Sequence, residues 1–250
     1  MKQMVAAFRS LISYAIVFSL VFGLFPFALI VWLGTYPFDK KHLVLHYFSC
    51  FWGSSFIWTN PMWRVKISHR ERIKKGKPYI LVSNHQSMFD ICLLYRLFKP
   101  FKWVSKSENY HLPVVGWNLR MNEYIKIERE SRKSIMKMMQ DCEKAIREGN
   151  SIMMFPEGTR TLDGELRLFK TGAFMLALKT RTPIIPIVIE GSMKVLPKKG
   201  LILGANRNIK LNVLEEIPVE KFERMDVDEL TKMTRTIMEE ELHRIRRTSA

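Results

Sequence analysis

The segment Ser83-Asn84-His85-Gln86-Ser87-Met88-Phe89-Asp90 places a histidine five residues before an aspartate, directly after a short apolar run. An imidazole titrates near working pH, so a histidine held at the end of a strand can take a proton from a hydroxyl. If the loop turns back, the carboxylate of Asp90 accepts from one ring nitrogen. It then fixes the tautomer and stabilises the imidazolium, as the acid of a serine triad does. No Ser or Cys of the loop sits in a nucleophile-elbow motif, so the hydroxyl to be activated would belong to the substrate. A His–Asp pair at one spacing also arises by chance, and alone it is only suggestive.

A second segment, Phe155-Pro156-Glu157-Gly158-Thr159-Arg160, follows another apolar run, Ser151-Ile152-Met153-Met154. Gly158 permits close backbone approach, Arg160 offers a planar fork of donors to a phosphate, and Glu157 can accept from a hydroxyl. The plain alternative is a polar turn with a surface arginine. Six specified residues in order arise by chance on the order of once in 10⁵ or more such chains, so coincidence explains this segment poorly.

The elements that would carry both loops alternate. Short apolar strands are expected at 65–67, 79–83, 102–104, 124–127, 151–155, 184–189 and 209–214, with helices at 88–98, 131–148, 172–180 and 227–246. Ser131 to Glu148 is the clearest helix, with Ile135, Met138, Met139, Cys142 and Ile146 on one face and Gly149 to end it. This order implies an α/β fold in which a mixed sheet is flanked by helices. Both candidate loops then follow strands, where such sheets place their ligands.

The first 63 residues read differently, and the expected division is 1–63 and 64–250. Ser10 to Phe38 contains no Asp, Glu, Lys or Arg. As a helix it would reach roughly 43 Å, beyond the ~30 Å hydrocarbon core of a bilayer. It is too long for a signal peptide, and no small-residue cleavage site follows. Pro26 predicts a kink or break midway. A second apolar stretch, 43–63, carries a polar stripe of His42, His46, Ser49, Gly53 and Asn60 opposite Val44, Tyr47, Phe48, Phe51 and Trp58. Together the two predict an N-terminal helical membrane hairpin. The formal net charge is +16, almost all of it beyond the hairpin. A basic globule beside an apolar segment points to an anionic lipid surface. Nucleic acid is disfavoured, because no zinc spacing, helix-turn-helix or RNA-binding signature is present. Three widely spaced cysteines, Cys50, Cys92 and Cys142, give neither a disulfide framework nor metal-ligand spacing.

Asn84-His85 with Asp90, followed by Phe155-Pro156-Glu157-Gly158-Thr159-Arg160, resembles the bacterial 1-acylglycerol-3-phosphate acyltransferases of the wider glycerolipid acyltransferase family. The resemblance covers roughly residues 64 to 215. It includes Lys106-Ser107-Glu108 with Pro113 and Gly116, and the apolar Pro183-Ile184-Ile185-Pro186-Ile187. It implies direct acyl transfer to the sn-2 hydroxyl of lysophosphatidic acid, giving phosphatidic acid, with no acyl-enzyme, metal or cofactor. An acyl-CoA or acyl-carrier-protein thioester would be the co-substrate. By the same resemblance His85 is the base and Asp90 its orienter. Glu157, Gly158, Thr159 and Arg160 hold the glycerol phosphate; Lys106 either shares that phosphate or is a solvated surface lysine. One departure stands out. The family pattern Gly-x-x-Phe-Ile-x-Arg would fall on Met121–Ile127, where both its Gly and its Arg are missing. Arg129 lies two residues on, about 6.6 Å further along the strand, and either stands in or leaves the phosphate to Lys106 and Arg160.

Two rivals accompany this reading: an acyltransferase acting on glycerol-3-phosphate or another lyso-lipid, and a non-catalytic basic membrane-binding module, for which His85 and Asp90 would be superfluous. Charge bias places Lys2, Arg9 and the Arg64–Lys77 run on the cytoplasmic side. The hairpin is therefore expected to anchor the chain to the inner (cytoplasmic) membrane from the cytoplasmic face, immersed in one leaflet.

Overall fold

In the computed structural model, which describes residues 2–198, 202–204 and 207–248, two apolar periodicities organise the chain. The first belongs to helices. α1 (Lys2–Thr35) and α2 (Leu43–Trp58) form the hairpin. α1 runs as one helix through Pro26, so of the kink or break expected there the break does not occur. An internal proline removes one helical hydrogen bond, and the apolar turns on either side carry the helix across the gap. α1 is long and apolar enough to cross a membrane, by length and composition. α2 ends five residues earlier than expected, because Pro61 disfavours helical backbone at Asn60; Trp63 instead opens a strand.

The second periodicity, of two, belongs to seven strands: β1 (Trp63–Ser68), β2 (Ile80–Ser83), β3 (Lys102–Lys106), β4 (Ile125–Ile127), β5 (Ile152–Met154), β6 (Ile184–Glu190) and β7 (Arg207–Val213). Their order is β1-β7-β6-β2-β5-β3-β4, and only the β6–β7 pairing is antiparallel. The sheet is therefore mixed, as expected. Successive side chains of a strand point to opposite faces. Leu81, Met153, Ile185, Ile187 and Ile189 pack on one face; Ile80, Val82, Ile152, Met154 and Val188 pack on the other.

The first face is covered by α2 and by α3 (Phe89–Tyr95). The second is covered by α5 (Arg132–Arg147), α6 (Gly172–Thr180) and α8 (Val227–Arg247). The brief α4 (Val115–Met121) and α7 (Val219–Phe222) are the remaining α-helices among the described residues. Because β2, β3, β4 and β5 are parallel, their carboxyl ends share one edge. The loops bearing His85, Lys106, Arg129 and Glu157 all leave from that edge.

The hairpin packs against this domain through an inverted α2. Its polar stripe faces inward: His46, Ser49 and Gly53 are buried, while Val44, Tyr47, Phe51 and Trp58 are exposed. The Nδ1 of His46 is 2.8 Å from the hydroxyl of Tyr124, and its Nε2 is 2.9 Å from the carbonyl of Lys99. Ser49 Oγ donates to Asn118, 3.2 Å. α1 follows the domain for much of its length. Ser10 Oγ accepts from the backbone N–H of Leu203, 2.9 Å, and the Phe25 ring lies 5.1 Å from that of Trp117.

Candidate active site

β2 ends in a loop fastened on both sides. Asn84 makes a reciprocal pair with the backbone of Ile189 on β6, donating at 2.8 Å and accepting at 2.7 Å. The next residue, His85, thereby leaves the sheet edge in a fixed direction. Asp90 sits in the first turn of α3 and is wholly buried. Its Oδ2 accepts from Nδ1 of His85 at 2.9 Å and from the backbone N–H groups of Gln86 and Ser87 at 2.7 and 2.8 Å. The loop does turn back on its own aspartate.

A carboxylate can only accept, so Nδ1 of His85 carries the proton and Nε2 presents a lone pair. Nε2 has no hydrogen-bond partner among the described residues. The imidazole side chain is 12% exposed. One ring face is covered by Phe155, 4.0 Å away and 12° from parallel. An imidazole held in one tautomer with its other nitrogen unpaired is what a general base requires.

The second loop grips the first. Glu157 is buried, and its two oxygens take two backbone donors: the N–H of His85 at 2.8 Å and the N–H of Arg167 at 3.1 Å. The N–H of Thr161 donates to the carbonyl of His85, 2.9 Å. The peptide of His85 is thus held at both ends by the 155–161 loop. Burial raises the carboxyl of Glu157 to about 7, against the opposing pull of those two backbone bonds. Gly158 has φ +70, a conformation that favours glycine; a Cβ there would lie 2.9 Å from Cε of Lys170, the far end of a flexible side chain.

The remaining sequence candidates are spread along the same edge. Arg160 is half-buried, its carbonyl accepts from Nζ of Lys198 at 2.7 Å, and its guanidinium has no acidic partner among the described residues. Thr159 is exposed beside it. Lys106 ends β3, two strands from β2, and is ion-paired with Glu108. Arg129 follows β4, one strand further out. It lines a cavity of about 990 Å³ together with Phe155, Gly158, Lys170 and the methionines 136, 138, 139, 154 and 175.

The structure thus joins His85, Asp90 and Glu157 into one hydrogen-bonded unit with Gly158 and Arg160 beside it, reaches Arg129 through the cavity that Phe155 and Gly158 line, and sets Lys106 apart. Sequence reasoning missed the ring of Phe155, the amides of Thr161 and Arg167, and Lys170. The residue types carried no signal for them, since three act through backbone or ring position and the fourth is one of many lysines.

Residues 64–190 match the acyltransferase family. Over 196 residues the chain is 34% identical to a 1-acyl-sn-glycerol-3-phosphate acyltransferase of Chlamydomonas reinhardtii, covering 78% of this chain and 58% of that protein. A protein of the same name from Borreliella burgdorferi is 29% identical over 184 residues, 73% of each chain. The chain spans little more than half of the algal relative and 54% of a chloroplast relative from Brassica napus. The crystal structure of the 1-acyl-sn-glycerophosphate acyltransferase PlsC from Thermotoga maritima superposes with a TM-score of 0.80 at 22% identity, covering 98% of both chains. That likeness extends through the hairpin. The family match starts inside β1 and ends at the last residue of β6. It therefore contains His85, Asp90 and the entire 155–160 loop, and the chain belongs to the acyltransferase family.

Proposed function

We propose that this chain transfers a fatty acyl group from an acyl thioester to the sn-2 hydroxyl of lysophosphatidic acid, giving phosphatidic acid. The observation that carries the reading is the His85–Asp90 pair, stacked on Phe155, whose ring also lines an apolar cavity. Nε2 takes the proton of the acceptor hydroxyl as its oxygen attacks the thioester carbonyl. The tetrahedral intermediate collapses, the C–S bond breaks, and the thiolate leaves with the proton from the imidazolium. Asp90 stabilises that imidazolium without accepting its proton. Arg160 supplies a donor fork for the acceptor's phosphate, with Thr159 and Gly158 beside it and Lys106 at the longer reach of the next strand. Glu157 serves by fixing the peptide of His85.

The acceptor is assigned from the names of the relatives and from the hairpin, since a soluble acceptor needs no apolar anchor. The cavity beside Phe155, lined by methionines, suits a fatty chain. The hairpin fits immersion in the cytoplasmic leaflet of the membrane. Its tip rests on the catalytic domain: Nζ of Lys41 would lie 3.2 Å from a Cβ at Gly149, and His42 pairs with Glu123 at 3.4 Å. A tip in contact with the catalytic domain stays on that domain's side of the bilayer.

The test is acyl transfer by the purified chain in lipid vesicles, with acyl-CoA or acyl carrier protein as donor. Lysophosphatidate, glycerol-3-phosphate and lysophosphatidylcholine are offered separately. Phosphatidate is the expected product. Preferential acylation of glycerol-3-phosphate would move the chain to the sn-1 reaction, and no transfer to any acceptor would leave a lipid-binding protein.

A further inference from the structure

Three exposed apolar side chains of the catalytic domain lie outside every site and core described above. Leu112, Val115 and Trp117 are 50%, 43% and 49% exposed. They follow β3 through a single turn, so they leave the sheet edge that carries Lys106. The backbone is constrained to present them. The N–H of Val115 donates to the carbonyl of Pro113 at 2.6 Å, closing a three-residue γ-turn with Val114 at φ 63, ψ −56. That form of γ-turn is rare and strained, and a β-branched residue at positive φ is an outlier. Such strain persists only where the surroundings over-determine it. Here Val114 is buried with Ala28, Leu45 and Trp52 of the hairpin. Gly116 approaches Tyr110 so closely that a Cβ would stand 2.3 Å from its carbonyl oxygen. With Val114 and Gly116 held inward, Leu112, Val115 and Trp117 face out.

Their neighbours identify what covers them. The Trp117 ring touches Phe25 of α1, and one turn to either side of Phe25 the helix exposes Phe22 and Leu29. The apolar surface therefore runs without interruption from the hairpin onto the catalytic domain. At its border Arg120 lies 5.8 Å over the Tyr110 ring with no acidic partner among the described residues, which suits anionic headgroups. Tryptophan favours that same depth. Single exposed apolar residues need no explanation, but a patch continuous with an anchoring helix does.

We infer that the Leu112–Trp117 segment is a third membrane-contact element, which inserts Leu112, Val115 and Trp117 into the leaflet that holds α1. The inference rests on the reading of the hairpin as a membrane anchor. Its consequence is mechanical. Three points of contact, two on the hairpin and one on the domain, define a plane, so the sheet edge bearing His85 and Lys106 is held at headgroup depth rather than swinging about the hairpin.

Single cysteines placed at Leu112 and Val115, in the full chain lacking its three native cysteines, are labelled with an environment-sensitive nitrobenzoxadiazole. The protein is bound to vesicles of equal parts phosphatidylglycerol and phosphatidylcholine carrying nitroxide-labelled acyl chains. Leu33 of α1 (59% exposed) serves as the hairpin probe, and Glu220, at the opposite edge of the sheet, as the aqueous one. We expect quenching at Leu112, Val115 and Leu33 and none at Glu220. Quenching at Leu33 alone overturns the third contact and leaves the anchor standing; quenching at none of the four overturns both. A blue shift at Leu112 without quenching means that protein, such as a second copy, covers the patch, and also overturns the inference. Insertion of apolar side chains into the leaflet is favourable, so the double variant Leu112→Glu, Val115→Glu should raise KM for long-chain lysophosphatidate in vesicles on the order of tenfold or more, with KM for a short-chain, monomeric acceptor unchanged. Equal rises for both acceptors would overturn it.

Discussion

At the scale of single residues, the chemistry is a matter of who holds whom. Removing the imidazole in His85→Ala should cost roughly 10²–10⁴-fold in kcat with lipid binding kept, the usual range for a lost general base. Asp90→Asn should cost a comparable factor. Its amide oxygen can take the place of Oδ2 and keep the three donors, but the negative charge that stabilises the imidazolium is lost. Near-normal turnover of either folded variant would end the mechanism. Glu157 makes a subtler case. Ionised, it accepts two backbone N–H groups; protonated, one oxygen becomes a donor facing a donor. Its carboxyl sits near 7, so as pH falls through that value the His85 peptide should loosen and kcat should drop. Glu157→Gln has one acceptor oxygen for two donors at every pH. We expect kcat roughly ten- to a hundredfold lower, as an unsatisfied buried amide costs about 1–3 kcal/mol, and loss of the pH step belonging to Glu157. Stability runs the other way. The folded chain holds this proton more tightly than the unfolded one, so the group's favourable contribution is full below 4.5 and is lost as pH rises to about 7. A thermal-melting profile of wild type against Glu157→Gln reads that difference directly. The residue types of both loops were legible in the sequence because the proposed chemistry constrains side chains. That Glu157 grips backbone was not, because a backbone partner leaves no trace in residue identity.

At the scale of elements, what was legible depended on length and regularity. α5 was expected at 131–148 and spans Arg132–Arg147, with the Ser131 hydroxyl accepting from Ser134 N–H at 3.2 Å and Gly149 at φ +81 after its end. Long amphipathic helices with a cap and a glycine stop declare themselves. α4 did not. Seven residues behind a strained γ-turn, with Pro113 and Gly116 as apparent breakers, resemble a loop in any one-dimensional pattern. α2 was legible in its stripe, and the stripe's meaning followed from context: polar side chains turned inward because His46 and Ser49 find partners on the domain, while the apolar face is exposed. Two glycines test how firmly these pieces are fitted. A Cβ at Gly116 would meet the Tyr110 backbone at 2.3 Å, which cannot yield; at Gly53 it would meet the Tyr95 side chain at 2.9 Å, a smaller overlap. Overpacking typically costs about 1–3 kcal/mol. We expect Gly116→Ala to lie at or beyond the upper end and Gly53→Ala at the lower. Equal melting temperatures for the two would show that the approach of α4 to Tyr110 is not rigid.

At the scale of the whole molecule, two features decide how the chain meets a bilayer. The first is α1, which by length alone could span one. It continues through Pro26 at a length that could span, so its contacts with the domain decide its topology. The second is the position of the hairpin tip. Asp39 is buried, its carboxylate accepting from the N–H groups of Leu43 and Val44 at 2.9 and 2.7 Å, and so caps α2 rather than facing a far solvent. Lys41 and His42 approach Gly149 and Glu123 of the catalytic domain. Along α1, contacts to that domain run from Ser10 to Ala28, about 27 Å of helix at 1.5 Å per residue, nearly the depth of a hydrocarbon core. A helix flanked by a +16 chain over such a length cannot be surrounded by lipid there. It can lie with one side on the domain and its Phe18, Phe27, Ile30 and Leu33 side in a single leaflet. The decisive position is Lys40, exposed at the tip beside buried Asp39. In a variant lacking the native cysteines, Lys40→Cys should resist a membrane-impermeant thiol reagent applied to the outside of intact cells and react once the membrane is opened. Glu220→Cys on the catalytic domain should behave in the same way, because tip and domain share one side. Ready labelling of Lys40→Cys from outside, with Glu220→Cys protected, would place the tip across the bilayer. The hairpin would then have to leave the domain it rests on here, while the chemistry at His85 would stand unchanged.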